Sequence, residues 1–227
     1  MLPEPPAPER HDLVWLAPGW RHALARSIEG AALAAIDAWI SAGRPAVACR
    51  RPECPHVETA GVVALGIAFP AGAPVRRAAL LVGREAVSRV ARPLALAEAL
   101  ASAPARWRGR LGALEREARL AGLTLRVYGS LAWQHLSGTP YLTERSDVDL
   151  AVAPRGPGEL RHALRLLAAH EAEGAPPLDG EILLPAGGGV AWRELAARPE
   201  RVLVKSLDGV ALARTRDALG PLAEGLS

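Results

Sequence analysis

Lysine is nearly absent from this 227-residue sequence: Lys205 is the single one, and arginine supplies the rest of the 27 basic residues. Against 24 acidic residues the formal charge is only +3, and the six tryptophans are scattered. With no basic stripe interleaved with aromatics, a nucleic-acid partner is not expected. An Arg-, Ala- and Gly-heavy vocabulary follows genomic base composition more than function, although scattered arginines suit a phosphate-rich small ligand. Cysteine is equally scarce. Cys49 and Cys54, followed by His56, match no common zinc spacing and find no second half elsewhere, so they read as free thiols. No apolar run reaches the roughly twenty residues that span a bilayer. The start MLPEPPAPERHD lacks the charged and apolar regions of a signal peptide. No membrane partner is expected, and the protein should be cytoplasmic.

What is present is apolar content, 50% of the chain, enough to bury a core. The length fits one large domain or two small ones, and two are expected, divided at Arg92-Pro93. The fold class reads as α+β: a smaller N-terminal α/β domain over residues 1–92, then a second domain over 93–227 with a mixed sheet flanked by helices. In the first, a loose tail over 1–10 leads to strands at 11–16, 46–50, 62–69 and 78–82. A helix at 29–41 carries Ala32, Ile36, Trp39 and Ile40 at helical spacing and ends at Gly43-Arg44-Pro45. Arg50-Arg51 and Arg76-Arg77 flank these strands, either as solvated ends or as phosphate or carrier-protein contacts.

In the second domain the pattern predicts a short helix at 94–101. A longer one follows, with Trp107, Leu111, Leu114 and Ala118 on one stripe, ended by Gly122. A helix at 157–170 presents Leu160, Leu164 and Leu167 to the core, leaving His162 and His170 to solvent. Beyond it come a strand at 178–184, closed by Pro185 and Gly187 to Gly189, a helix at 192–197, a strand at 202–205 and a final helix from Val210.

The chemistry concentrates in residues 125–152, LRVYGSLAWQHLSGTPYLTERSDVDLAV. Leu125, Val127 and Tyr128 read as a strand, Gly129-Ser130 as a turn opening a helix at 131–136, and Val148–Val152 as a second strand. Side chains alternate across a strand, so Asp147 and Asp149 leave the sheet on one face while Val148, Leu150 and Val152 enter the core. An isolated Asp-x-Asp more often solvates an exposed strand. Here two adjacent carboxylates beside a glycine turn make a hard, oxygen-only ligand set suited to Mg2+ bound with substrate phosphates. The amides of Gly129 and Ser130, the Ser130 hydroxyl and the positive end of the helix suit a phosphate. Lys205, closing an apolar strand, is either a solvent anchor or a second phosphate-binding group.

This pattern resembles the nucleotidyltransferase superfamily typified by DNA polymerase beta. The resemblance implies a polymerase beta-type domain with a third carboxylate on a later strand, and Asp179, with Glu181 as the alternate on the same strand face, stands in that context. A closer resemblance covers nearly the whole chain. RVYGSLAWQHLSGTPYLTERSDVDLAV, LDGEILLP, AWREL, VLVKSLDGVAL and the opening RHDLVWL are similar to the malonate decarboxylase holo-acyl-carrier-protein synthases, the phosphoribosyl-dephospho-CoA transferases. That family implies transfer of the 2′-(5″-phosphoribosyl)-3′-dephospho-CoA group from its triphosphate, triphosphoribosyl-dephospho-CoA, to a serine of the apo acyl-carrier subunit of malonate decarboxylase, with release of diphosphate. On it, Asp147, Asp149 and Asp179 are the catalytic, metal-holding acids, and Gly129, Ser130 and Lys205 bind phosphate. Two other readings stay open: a nucleotidyltransferase using ATP or another nucleoside triphosphate on a different acceptor, and the equivalent transferase for citrate lyase.

Overall fold

The computed structural model describes residues 5–52, 61–172 and 176–224. Cys54 and His56 fall outside them, while Cys49 is a half-buried free thiol. The chain divides into two compact units, Met1–Arg92 with Leu207–Gly209, and Pro93–Ser206 with Val210–Ser227.

The first unit contains strands β1 (Leu13–Leu16), β2 (Ala46–Ala48), β3 (Val62–Ala68), β4 (Arg77–Gly83) and β5 (Val87–Ala91), with helix α1 (Gly30–Ser41) between β1 and β2. The strands lie in the order β4-β3-β2-β1-β5 and every pairing is antiparallel. Among the described residues the unit is therefore one α-helix with an antiparallel sheet rather than alternating α/β units. Ile36 and Trp39 are the buried side of α1; Trp39 donates its indole N–H to the Pro45 carbonyl at 2.8 Å and meets Phe69 edge-on. Strand β5 was not foreseen, because Ser88 and Arg89 interrupt its apolar run and only its pairing with β1 defines it. Arg51 donates to the Val62 carbonyl and lies 3.9 Å from Asp208, which gives it a structural partner.

The second unit begins with β6 (Leu94–Ala95), α2 (Leu96–Ala99) and α3 (Ala105–Leu120), and continues with β7 (Leu125–Val127), α4 (Gly129–Ser137) and β8 (Val148–Val152). Then come α5 (Pro157–Ala172), β9 (Leu178–Leu183), β10 (Gly189–Ala191), α6 (Trp192–Ala196), β11 (Arg201–Lys205), β12 (Val210–Arg214) and α7 (Thr215–Leu219). The seven strands lie in the order β12-β11-β10-β9-β8-β7-β6. Among the described strands only β8 and β9 run parallel, which requires the α5 crossover between them, so the sheet is mixed. Leu111 and Leu114 of α3 and Leu160 and Leu167 of α5 bury themselves in one core with Val148, Leu150, Leu178 and Ile182 of the sheet. Each fully buried leucine there contributes about 1.5–3 kcal/mol of transfer free energy.

The helix expected over 94–101 is preceded by strand β6 at Leu94–Ala95, which pairs with β7, and two further expectations fail in this unit. Val210 opens a strand, not a helix: the turn at Leu207–Gly209 returns the chain so that β12 pairs with β11 along five positions, and the helix waits until Thr215. The Asp208-Gly209 pair carried that hairpin signal. His170 is buried, not solvated. The core stripe of α5 runs through Leu160, Ala163, Leu167 and His170, one step around the helix from the stripe drawn through Leu164. Burial holds the His170 imidazole below its usual pKa, and its Nε2 has no hydrogen-bond partner among the described residues.

Candidate functional site

Strand β7 passes its backbone to α4 through Tyr128, whose N–H donates to the Asp149 carbonyl at 3.1 Å, so the end of one strand is tied to the acid on the next. Gly129 then takes a φ of +62°, and a Cβ at this position would lie 2.7 Å from Asp149 Cγ. Glycine is required twice over, once by the backbone and once by the carboxylate above it. The first-turn amides of α4 have no intrahelical partner and carry the positive end of the helix dipole beside that carboxylate.

The loop from α4 back to β8 is held by side chains. Gln134 accepts the N–H groups of Tyr141 and Leu142 through Oε1 and donates to the Ser102 carbonyl through Nε2. Thr143 N–H donates to Ser146 Oγ, and Ser146 N–H returns to the Thr143 carbonyl, which fixes the residue just before Asp147. His135 shares a 3.1 Å hydrogen bond with Ser102, a structural use.

Asp147, Asp149 and Asp179 converge: one carboxylate oxygen from each lies within 4.8 Å of the other two. The parallel register sets Asp179 directly opposite Asp149. Gly180 permits this approach, since a Cβ there would meet the backbone of Leu150 at 2.8 Å. Burial, and then the negative charges of Asp147, Asp179 and Glu181, push the Asp149 carboxyl up to about 7. A cluster of hard oxygen donors under that repulsion fits a divalent cation, which would relieve it.

Glu181 is placed differently. It pairs with Ala151 instead of Asp149 in the β8–β9 register, it is buried to 4% exposure, and its Oε1 lies 3.4 Å from Lys205 Nζ. Arg126, on β7 with β8 in between, donates to the Pro93 carbonyl. Lys205 therefore stands at the site held by a buried carboxylate, its side chain still 38% exposed. Ser130, the second residue of α4, is half-buried.

One site residue was not singled out in the sequence. Arg193 of α6 reaches Asp179 Oδ1 at 3.4 Å and binds the Glu171 carboxylate, with its guanidinium 4.9 Å from the Trp192 ring centre. Nothing in the spacing of AWREL points to Asp179; only the return of α6 beside β9 brings the two together.

Similar proteins agree along most of the length. A family model described as "Phosphoribosyl-dephospho-CoA transferase MdcG N-terminal domain" matches residues 9–93, and its "C-terminal domain" counterpart matches residues 95–216. A phosphoribosyl-dephospho-CoA transferase from Bradyrhizobium diazoefficiens is 39% identical over 90% of this chain and 89% of its own. Another so named, from Xanthomonas campestris pv. campestris, is 38% identical over 93% of this chain and 96% of its own. No solved structure matches. No helix among the described residues is long and apolar enough to cross a membrane. Two domain matches in tandem and relatives aligned almost end to end place the chain in the phosphoribosyl-dephospho-CoA transferase family of transferase enzymes.

Proposed function

We propose that the chain transfers the 2′-(5″-phosphoribosyl)-3′-dephospho-CoA group from its 5″-triphosphate to a serine of the apo acyl-carrier subunit of malonate decarboxylase, releasing diphosphate. We read its second unit as a DNA polymerase beta-type nucleotidyltransferase domain. The observation that carries the reading is the convergence of Asp147, Asp149 and Asp179 against the first turn of α4. Acids that hold a cation beside amides that hold a phosphate are what displacement at a triphosphate needs.

Asp147, Asp149 and Asp179 would hold magnesium, which when bound neutralises charge on the reacting phosphate oxygens. The first-turn amides of α4 and the Ser130 hydroxyl hold the departing diphosphate. Lys205, oriented by Glu181, adds positive charge on the same side. The acceptor hydroxyl attacks the innermost phosphorus in line. Its new P–O bond forms as the bond to diphosphate breaks, and its proton passes to a carboxylate of the cluster, since His135 is engaged with Ser102.

The test is to incubate the protein with the triphosphoribosyl donor, magnesium and the apo carrier subunit, then weigh the carrier. A gain equal to the prosthetic group is expected, and an unchanged mass overturns the assignment. Parallel reactions offering the citrate lyase carrier, or ATP in place of the donor, separate the two competing readings.

A further inference from the structure

The sheet face that bears the acids continues beyond them. Residues paired across neighbouring strands project to the same face. Asp149 pairs with Asp179, and two residues along β9 Glu181 pairs with Ala191 of β10. Gly189 of β10 pairs with Lys205 of β11, which in turn pairs with Val210 of β12. Leu203 opposite Leu212 and Arg201 opposite Arg214 complete that face.

At this end the face carries exposed apolar side chains. Leu203 is 40% exposed, Val210 44% and Leu212 54%, three of the four exposed large hydrophobic residues among those described. Exposed Arg201 and Arg214 close one end of the apolar strip and Lys205 stands at the other; no carboxylate occupies the paired positions between them, and the neighbouring Glu194 carboxylate is taken up by the Leu203 N–H at 2.9 Å. The Lys205–Glu181 ion pair joins the strip to the acid cluster.

We infer that this face of β11 and β12 docks the protein acceptor, through a segment whose apolar side chains are ringed by carboxylates. The inference rests on the proposed transfer to a carrier serine. A protein acceptor must be held by surface outside the reacting atoms while its hydroxyl reaches the acids, and this strip leads outward from them. Its charge selects an acidic partner. A second copy of the chain is the poorer occupant, because self-pairing would set Arg201 and Arg214 against cations of the other copy, its own arginine pair or its Lys205, with no carboxylate at the paired positions.

Two variants test it in the full-length protein: Leu203→Glu with Leu212→Glu, and the milder Arg201→Gln with Arg214→Gln. Binding of the apo carrier subunit is measured by calorimetry without donor, and transfer by carrier mass, with melting temperature as the check on folding. The expected result is a rise of at least tenfold in Kd and KM for the carrier, an unchanged KM for the donor, and wild-type carrier binding that weakens as salt is raised. Unchanged carrier constants in both variants, while the wild type binds and modifies the carrier, overturn the docking face and leave the transfer reading intact. A wild type that binds without modifying the carrier, with binding lost in the variants, keeps the docking face and removes the transfer reading. A wild type that neither binds nor modifies the carrier removes both, and one that modifies the carrier with a KM unchanged in the variants removes the docking face alone. A wild-type dimer made monomeric by the glutamates would assign the strip to self-association and overturn the inference.

Discussion

Gly129 lies so close beneath Asp149 that a Cβ built on it would stand 3.2 Å from the Asp149 Cβ and 2.7 Å from its Cγ. Gly129→Ala should therefore suffer twice. The left-handed backbone costs about 1–2 kcal/mol for a residue with a Cβ, and the carboxylate must move away from the cluster. Gly138, with φ +69° and nothing within 4 Å of its Cβ position, isolates the first effect. Both alanine variants should melt lower than the wild type, and only Gly129→Ala should lose transfer, by a hundredfold or more on the order expected for a misplaced catalytic group. Equal activity in the two would show that Asp149 tolerates displacement.

How much of this was legible beforehand depends on distance along the chain. The Gly-Ser turn, the helix after it and the shared face of Asp147 and Asp149 follow from neighbouring residues and the two-residue period of a strand. That period puts Asp179 and Glu181 on one face and cannot rank them. Their different settings come from the β8–β9 register, which places Asp149 beside one and Ala151 beside the other, and from β11 bringing Lys205 across. β12 escaped notice because its residues are largely exposed on both sides and show no alternation. His170 was misplaced by drawing the buried stripe of α5 one step around the helix.

The charge cluster predicts a pH dependence. Asp149 has its carboxyl raised to about 7 in the folded protein by burial and by Asp147, Asp179 and Glu181, against an unperturbed 3.8. As pH rises from about 4 toward 7, the unfolded chain releases this proton while the folded chain retains it, so stability present at the acidic end is lost across that window. With chelator present, the melting temperature of the wild type should fall relative to Asp149→Asn between those limits, and magnesium should restore it at neutral pH. Parallel melting curves would remove Asp149 as the strained acid. In transfer, Asp147→Asn and Asp149→Asn should each lose several orders of magnitude with the fold retained, as expected when charge stabilisation at the transition state is removed.

Asp179 and Glu181 should separate cleanly. Asp179→Asn should match Asp147→Asn in transfer and leave the melting temperature nearly unchanged, because its side chain is 54% exposed. Glu181→Gln removes the partner of Lys205 from a buried position and should lower the melting temperature while keeping measurable transfer. Assays at saturating magnesium prevent weak metal binding from passing as lost chemistry. The reverse ranking would make Glu181 the third ligand.

Arg193 gives the remaining prediction. Its guanidinium contacts Asp179 and is anchored on Glu171, so it occupies a carboxylate that the proposed cation would use. A cation held there would compete for Asp179 and free the guanidinium for the donor phosphates, whose oxygens its planar fork suits. Arg193→Gln should thus act in opposite directions on two equilibria. Magnesium affinity of the donor-free protein, measured by calorimetry, should increase, because the competing cation is gone. The KM for the triphosphoribosyl donor should rise about ten- to a hundredfold, the scale of a lost charge-assisted hydrogen bond. Arg193→Lys, which keeps the charge without the fork, should fall between the two on the donor and stay near the wild type on magnesium. A residue serving only to pack α6 would shift the melting temperature and leave both constants alone, and that result would reduce Arg193 to a structural ion pair.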